Sequence, residues 1–193
     1  MKKLLLFALI ISVISLGAAL PAHAVLVTYS TAGSLNGGGN IFTVGGLTVT
    51  FNGLTSTTVD AAPFTNASLG TFHTDVIGTG GTIPAGTTVS ILITQTVPSA
   101  GSGSATGTID GTISATSSSG EVLFDVTHVQ IGDVAYDLRS NFLDLVPPST
   151  NNGDASLQAR VTVTPEPTTL MLLGTGLTGL AGMARRRLRR FEK

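Results

Sequence analysis

Outside its two ends, this chain has few side chains of the kinds that carry chemistry. His73 and Asp75 stand two residues apart, so on a β-strand they would share one face and could ligate a metal ion. Zinc sites use three or four ligands, and no third ligand can be named beside this pair. An ordinary solvent-exposed strand face is the preferred interpretation, and His128 is interpreted as structural.

Four aspartates in or near the expected loops are the other candidates for binding an ion. Calcium takes six to eight oxygen ligands, often from loop carboxylates and carbonyls. Neither the EF-hand pattern nor the glycine-rich aspartate repeat of calcium-binding β-rolls occurs in the sequence. We expect these aspartates to provide ordinary solubilising charge, and binding of a structural calcium ion is the alternative. We expect no cofactor. The four residues are Asp133, Asp137, Asp144 and Asp154.

The sequence contains no recognised catalytic pattern. The chain has no cysteine, which excludes disulfides, thiolate metal sites and a cysteine nucleophile. It has no Gly-x-Ser-x-Gly elbow, and residues 25–164 contain no lysine for Schiff-base chemistry. Glycosidases need two positioned carboxylates, but some pair arises by chance among nine acids. We therefore expect a protein that is not an enzyme.

The central segment is strongly acidic, although the whole chain has a net charge of only −1. Residues 25–164 hold two arginines and nine acids, a formal charge of −7, so we expect no nucleic-acid partner. The segment has no tryptophan and two tyrosines, Tyr29 and Tyr136, which disfavours sugar binding by aromatic stacking. Most of its phenylalanines fall at positions expected in the core. Sugar binding through hydrogen bonds stays open.

Alternation of apolar and polar residues is the main pattern between residues 25 and 164. Successive side chains of a strand point to opposite faces of a sheet, so this alternation indicates half-buried strands. Val89, Ile91, Ile93 and Val97 share one face, and Leu92 on the other face indicates partial cover there. The predicted strands are residues 47–51, 54–59, 71–77, 87–97, 104–116, 121–131, 134–138 and 156–163.

Turn residues predict how these strands connect. Asn52-Gly53 and Gly132-Asp133 each separate two strand-like runs and predict tight hairpins. Asp110-Gly111 could turn in the same way, but the alternation continues across it and favours one long strand. Eight or nine strands without a helix predict an all-β fold, a single antiparallel β-sandwich of jelly-roll-like form. The strand order is not predicted.

The N-terminus has the three parts of a secretory signal peptide. Two lysines precede an uncharged apolar run, residues 4–20. Ala22 and Ala24 supply the small residues at the positions that signal peptidase reads. We expect cleavage after Ala24, which removes residues 1–24, and an uncleaved membrane anchor is the alternative.

The C-terminal residues 164–193 have the composition of a membrane tether. The apolar run at about 168–184 has 17 residues, which as a helix would be about 25 Å long, just enough to span a bilayer core. A buried core helix is the alternative, and the arginines that follow disfavour it. By the positive-inside rule these arginines predict a cytoplasmic end. They are Arg185, Arg186, Arg187, Arg189 and Arg190.

A short proline motif precedes the apolar run. In Pro165-Glu166-Pro167, each proline pushes the preceding residue out of the helical region, so Thr164 and Glu166 are expected to be extended. An extended backbone at the outer edge of a membrane is one that a processing enzyme can bind.

The order of these C-terminal parts resembles a known family. Pro-Glu-Pro, then Leu-Gly-x-Gly-Leu-x-Gly-Leu-Ala over residues 173–181, then an arginine cluster, resembles the PEP-CTERM sorting domain of bacteria. The resemblance covers Thr164 to about Arg190, under a sixth of the chain. It implies that exosortase, a membrane-embedded cysteine protease, recognises the motif and removes the tail. It also implies an exported surface or matrix protein, often in species that make exopolysaccharide.

These observations predict three parts: a signal peptide (1–24), a β-sandwich ectodomain (25–163) and a sorting tail (164–193). We expect a non-enzymatic structural or adhesion protein of the cell surface, extracellular matrix or biofilm. Its expected partners are signal peptidase, exosortase, the inner membrane through a transient tether, and exopolysaccharide. The alternative is a polysaccharide- or calcium-binding module at the cell surface.

Overall fold

The computed structural model describes residues 25–164 and 174–179. Residues 25–164 contain twelve β-strands and one 3-10 turn, Asn151–Gly153, and residues 174–179 form a short helix. The strands are β1 (Leu26–Leu35), β2 (Ile41–Val44), β3 (Leu47–Asn52), β4 (Thr57–Asp60), β5 (Phe64–Val76), β6 (Gly81–Val97), β7 (Gly101–Ile113), β8 (Glu121–Phe124), β9 (His128–Ile131), β10 (Val134–Leu138), β11 (Phe142–Asp144) and β12 (Asp154–Val163).

The strands form two antiparallel sheets of six strands each. Sheet A has the order β11-β8-β7-β6-β1-β4, and sheet B has the order β2-β3-β5-β12-β10-β9. One hydrophobic cluster contains the inward side chains of both sheets, as in a β-sandwich. The predicted all-β class and two-sheet architecture are confirmed. The jelly-roll-like form is a finer description and stays a prediction.

The core follows from the alternation in the sequence. Val89, Ile91 and Ile93 of β6 are buried, while Leu92 between them is 41% exposed on the outer face. Across the core, Tyr29 of sheet A and Tyr136 of sheet B meet edge to face, with ring centroids 5.6 Å apart. Because the buried cluster lies within residues 25–164, this segment has its own core and is expected to fold without the tail.

The predicted hairpin at Asn52-Gly53 is wrong, because β3 belongs to sheet B and β4 to sheet A. At Gly53 the chain crosses between the sheets, and a Cβ there would lie only 2.1 Å from the Thr31 carbonyl oxygen. Thr31 holds the crossing, since its Oγ1 accepts from the Leu54 N–H at 2.9 Å. The hairpin partner of β3 is β2, joined to it by a Gly-Gly turn at residues 45–46.

The predicted strand 121–131 is also wrong as one strand. It divides into β8 in sheet A and β9 in sheet B. The N–H groups of Asp125 and Val126 both donate to the Thr106 carbonyl, and the chain leaves sheet A there. Val126 is 40% exposed instead of facing the core with Phe124.

Other strand predictions are confirmed. Residues 104–116 contain one strand, β7, and not a hairpin at Asp110-Gly111. Gly111 takes a φ of 105° within it, so the glycine allows a local distortion without a turn. Gly132-Asp133 does turn tightly and joins β9 to β10. The strand predicted at 156–163 is β12.

Both ends of the folded segment leave the sandwich on the same side. Tyr29, near the start of β1, pairs with Gln95, and the Gln95 amide lies 3.4 Å from the Ile131 carbonyl beside the β9–β10 turn. In that turn the Asp133 carbonyl accepts from the Thr164 N–H at 2.8 Å. We call this side, with the β6–β7 and β9–β10 turns, the exit end. The opposite side, with residues 77–80 and 145–153, is the far end.

Within the described residues, no helix is long and apolar enough to cross a membrane. Of the predicted spanning segment 168–184, only 174–179 is described, and it is helical. The predicted transmembrane helix is therefore not supported by the part of the chain that the structure describes, and the rest of that segment lies outside it.

Candidate functional site

The folded domain ends one residue before the Pro-Glu-Pro motif. β12 is a central strand of sheet B, paired with β5 on one side and β10 on the other, and it ends at Val163. The Thr164 N–H is bound by Asp133, so the chain is fixed up to this residue. The other predicted sorting and cleavage residues lie outside the described ones: Pro165, Glu166, Pro167, Ala22, Ala24, Arg185, Arg186, Arg187, Arg189 and Arg190.

A buried polar network stiffens the exit end. The fully buried Gln95 side chain donates from Nε2 to the Ser99 carbonyl at 2.9 Å and lies 3.4 Å from the Ile131 carbonyl. Its Oε1 accepts from the Tyr136 hydroxyl at 2.9 Å. Gln95 therefore connects the β6–β7 turn of sheet A to the β9–β10 turn of sheet B. Among the described residues, no buried side-chain nitrogen or oxygen lacks a partner.

The two tyrosines of the core are kept neutral. Burial raises the pKa of the Tyr29 phenol, and burial together with the neighbouring Tyr29 raises the pKa of Tyr136 strongly. The Tyr29 hydroxyl donates to the Ser68 carbonyl at 2.6 Å. These rings join the two sheets, and because both are buried they cannot serve as platforms for a sugar.

The outer face of sheet B carries an aromatic and cationic corner beside the exit. Phe64, the first residue of β5, is 48% exposed, and the Arg160 guanidinium carbon lies 3.8 Å from its ring centroid. Thr162 pairs with Phe64, two residues before Thr164. We call Phe64, Arg160 and Thr162 the exit corner. Arg160 is one of only two cationic arginine or lysine side chains in residues 25–164.

Both histidines of the domain form pairs with aspartates across neighbouring strands. His73 Nδ1 lies 2.8 Å from Asp154 Oδ1, and His128 Nδ1 lies 2.6 Å from Asp137 Oδ1. All four side chains are at least one-third exposed. The suggested metal pair of His73 with Asp75 is not formed, since the partner of His73 is Asp154.

The aspartates named as alternative calcium ligands do not converge. Asp137 and Asp154 each pair with a histidine, Asp133 lies in the β9–β10 turn, and Asp144 lies on β11. Asp144 is aligned instead with Glu121 of β8, which pairs with Asp110 of β7. Within the described residues, no group of three or more His, Cys, Asp or Glu side chains is placed to hold a metal ion.

Sheet A presents a contrasting outer face of hydroxyl groups. Its three longest strands, β1, β6 and β7, point serine and threonine side chains outward in cross-strand rows. One row is Ser30, Thr94 and Ser102, and a second is Ser34, Ser90 and Thr106. These rows contain no charged residue. The alternation in the sequence could have shown which side chains point outward. The rows could not be predicted, because they depend on which strands are neighbours in the sheet.

A shallow pocket of about 150 Å³ lies where β10 ends beside β12. This volume is below the range of about 300–1,000 Å³ that is common for small-molecule sites. Phe142 on its wall is 49% exposed, so Phe142 and Phe64 depart from the expectation that phenylalanines lie in the core. The pocket is lined by Arg139, Ser140, Phe142, Leu143, Ser156, Leu157 and Gln158.

Comparison with known families identifies the C-terminal segment. The family model described as the PEP-CTERM protein-sorting motif matches residues 163–190. The chain therefore carries this sorting motif, which is consistent with an exosortase-sorted protein. The match begins on the last residue of β12, so the motif directly adjoins the sandwich. No curated protein and no solved structure matches the chain.

Proposed function

We propose that this chain is a non-enzymatic structural or adhesion protein, exported as a jelly-roll-like β-sandwich and delivered to the cell surface or matrix by exosortase. The observation that carries the proposal is the sorting motif at residues 163–190, directly joined to the end of the last strand. The acidic sandwich supports it, because a closed core with polar outer faces is suited to an exposed, soluble location.

The two ends of the chain have successive roles in this proposal. Signal peptidase cleaves after Ala24 during export, and the apolar run at 168–184 then holds the protein in the inner membrane. The arginines from Arg185 to Arg190 keep the end of the tail in the cytoplasm. Exosortase binds Pro165-Glu166-Pro167 and removes the tail, which releases the sandwich for the surface.

The position of residues 25 and 164 supports this sequence of events. Both leave the sandwich at the exit end, where the Val25 carbonyl accepts from the Ala61 N–H and the Asp133 carbonyl accepts from the Thr164 N–H. A precursor with a membrane segment at each end can therefore fold with its exit end toward the membrane, and the far end points away from it.

Replacing Pro165, Glu166 and Pro167 together by alanine tests the proposal. The variant is expected to keep its tail and stay in the inner-membrane fraction, while the unaltered chain is processed. A matched control replaces Ser117, Ser118 and Ser119 in the exposed β7–β8 loop by alanine, and it should be processed normally. Normal processing and export of the motif variant would show that the sorting proposal is wrong.

A second candidate function is the binding of a neutral polysaccharide. The specific observation is the uncharged array of hydroxyl groups on the outer face of sheet A. Within each row the hydroxyls lie about 4.8 Å apart, and the two rows lie about 13 Å apart, with Ala32, Leu92 and Ser104 between them. The hydroxyls therefore form an open grid of donors and acceptors. A polysaccharide chain also carries hydroxyl groups, which can donate hydrogen bonds to this array and accept hydrogen bonds from it.

Isosteric substitutions separate this candidate from a purely structural role. Thr94 and Thr106 belong to the two rows, and Thr88 lies exposed on the same face, paired with Thr108. Replacing these three threonines, Thr88, Thr94 and Thr106, by valine removes three hydroxyls from the outer face of sheet A and is expected to weaken binding to insoluble neutral polysaccharide. The matched control replaces Thr48, Thr50 and Thr71 on the outer face of sheet B by valine. Equal retention of both variants and the unaltered protein would exclude binding through sheet A.

A further inference from the structure

The exit corner gives the processing enzyme a second contact. We propose that the exosortase docks on Phe64, Arg160 and Thr162 while it binds the Pro-Glu-Pro motif. The inference rests on the proposed function and extends it, since it assigns part of the recognition surface to the folded domain.

The lack of a spacer brings the enzyme close to the exit corner. Thr164 is fixed to the β9–β10 turn by a hydrogen bond of 2.8 Å to Asp133, and the motif starts at the next residue. Three fully extended residues reach at most about 10 Å. A membrane enzyme that surrounds the backbone of Glu166 must therefore approach the end of sheet B to within that distance.

The nearest part of that end has the composition of a protein-binding surface. Phe64 is half-exposed, and Thr162 beside it is two residues from the anchored Thr164. Arg160 lies over the Phe64 ring at 3.8 Å, which holds both side chains in place before a partner arrives. Aromatic and arginine side chains contribute most often to binding energy at protein interfaces.

Charge also distinguishes the exit corner from the rest of the domain. The segment has a formal charge of −7 and only two arginines, of which Arg160 lies at the exit and Arg139 at the pocket. Arg160 pairs in register with Asp137 and Asn66. Its planar guanidinium offers a rigid fork of N–H donors to a carboxylate or carbonyl on the enzyme, which the compact ammonium of a lysine does not.

Processing kinetics of the full chain test the docking. Phe64→Ala and Arg160→Gln are each expected to slow the conversion of precursor to processed protein about fivefold to tenfold in a pulse–chase experiment. Phe142→Ala is the matched control, because Phe142 is equally exposed at the start of β11 but lies on the outer face of sheet A. This control should be processed at the unaltered rate.

An insertion provides a test that leaves the sandwich unchanged. About ten glycine and serine residues between Thr164 and Pro165 would separate the motif from the exit corner. We expect this chain to be processed more slowly, and Phe64→Ala to cause no further loss within it. Unaltered processing of either Phe64→Ala or the insertion variant would overturn the docking proposal.

The two proposals can fail separately. If the alanine variant of the motif blocks processing and Phe64→Ala does not slow it, the sorting function holds and the docking surface is wrong. If the motif variant is processed normally, the sorting function itself is wrong. Resistance of Phe64→Ala to limited proteolysis confirms that its sandwich is folded. If Phe64→Ala does not fold, the processing rate of the insertion variant alone tests the docking proposal.

Discussion

The exit end and the far end of the sandwich are each held by one buried polar side chain, but the two side chains work differently. At the exit end, Gln95 connects turns of both sheets and is itself bound by the Tyr136 hydroxyl. At the far end, the Thr74 hydroxyl donates to the Val146 carbonyl at 2.5 Å and lies 3.4 Å from the Gly153 carbonyl. At the exit end the buried side chains form a network, whereas at the far end the Thr74 hydroxyl acts beside separate backbone hydrogen bonds, such as the one that the Leu145 N–H donates to the Gly120 carbonyl.

The difference shows where the molecule has to be rigid. The network at the exit end supports Asp133, which positions Thr164 directly before the sorting motif. The far end is made of longer connections, including residues 145–153, and nothing leaves the domain there. We infer that the ordered exit end fixes the chain as far as Thr164, and that the effects of substitutions at the two ends should differ in size.

The largest effect is expected from removing the centre of the exit network. Gln95→Leu takes the partner from the buried Tyr136 hydroxyl and removes the amide donor that faces the Ser99 and Ile131 carbonyls. Each such group costs about 1–3 kcal/mol, so the free energy of unfolding of residues 25–164 should fall by about 3 kcal/mol or more. Urea unfolding measures the change. A loss below about 1 kcal/mol would show that the network does not stiffen the exit end.

Alkaline pH should weaken the exit end next. Burial raises the pKa of Tyr29 and Tyr136 above the ordinary value, so below about pH 10 the folded and unfolded chains both hold these protons and stability is constant. Above about pH 10 the unfolded chain loses them first, and stability falls by up to about 1.4 kcal/mol per pH unit for each tyrosine.

Urea unfolding between pH 8 and 11 measures this slope. Tyr29→Phe and Tyr136→Phe should each flatten it, although both variants are less stable at neutral pH. An unaltered slope in the two variants would assign the alkaline loss to other groups.

A smaller effect is expected at the far end. Thr74→Val keeps the shape of the side chain and removes the hydroxyl that the Val146 carbonyl binds, which should cost about 1–2 kcal/mol. Urea unfolding compares it with Gln95→Leu under the same conditions. A loss equal to or larger than that of Gln95→Leu would reverse the proposed difference between the two ends.

The smallest effect is expected at the histidine–aspartate pairs of sheet B. Asp154→Asn removes the charge that faces His73, but both side chains are at least one-third exposed. Exposed ion pairs contribute about 0–1 kcal/mol, so the unfolding midpoint should barely move. A loss above about 2 kcal/mol would indicate that this pair has a structural role that its exposure does not suggest.

Local patterns in the sequence predicted the strands. Which strands pair with each other depends on contacts between residues that are far apart in the sequence. The alternation of Val89, Ile91 and Ile93 predicted the inner face of β6, and Gly132-Asp133 predicted its hairpin. Asn52-Gly53 failed because a turn-forming dipeptide does not specify which sheet the next strand joins.

The candidate site was harder to predict than the fold. The partner of His73 is Asp154, 81 residues away, and only the register of β5 with β12 brings them together. The exposure of Phe64 was missed because the register of β5 shifts between Ser68 and Gly70, opposite Gln158 and Leu157. This bulge places Phe64 on the outer face although its parity is that of the buried Phe72.

The intact mass of the protein recovered from the cell surface shows whether the tail has been removed. We expect one species that begins at Val25 and lacks the apolar run and the arginines after it, so its C-terminus lies within or just beyond Pro165-Glu166-Pro167. A surface protein whose mass includes all residues up to Lys193 would contradict sorting by removal of the tail.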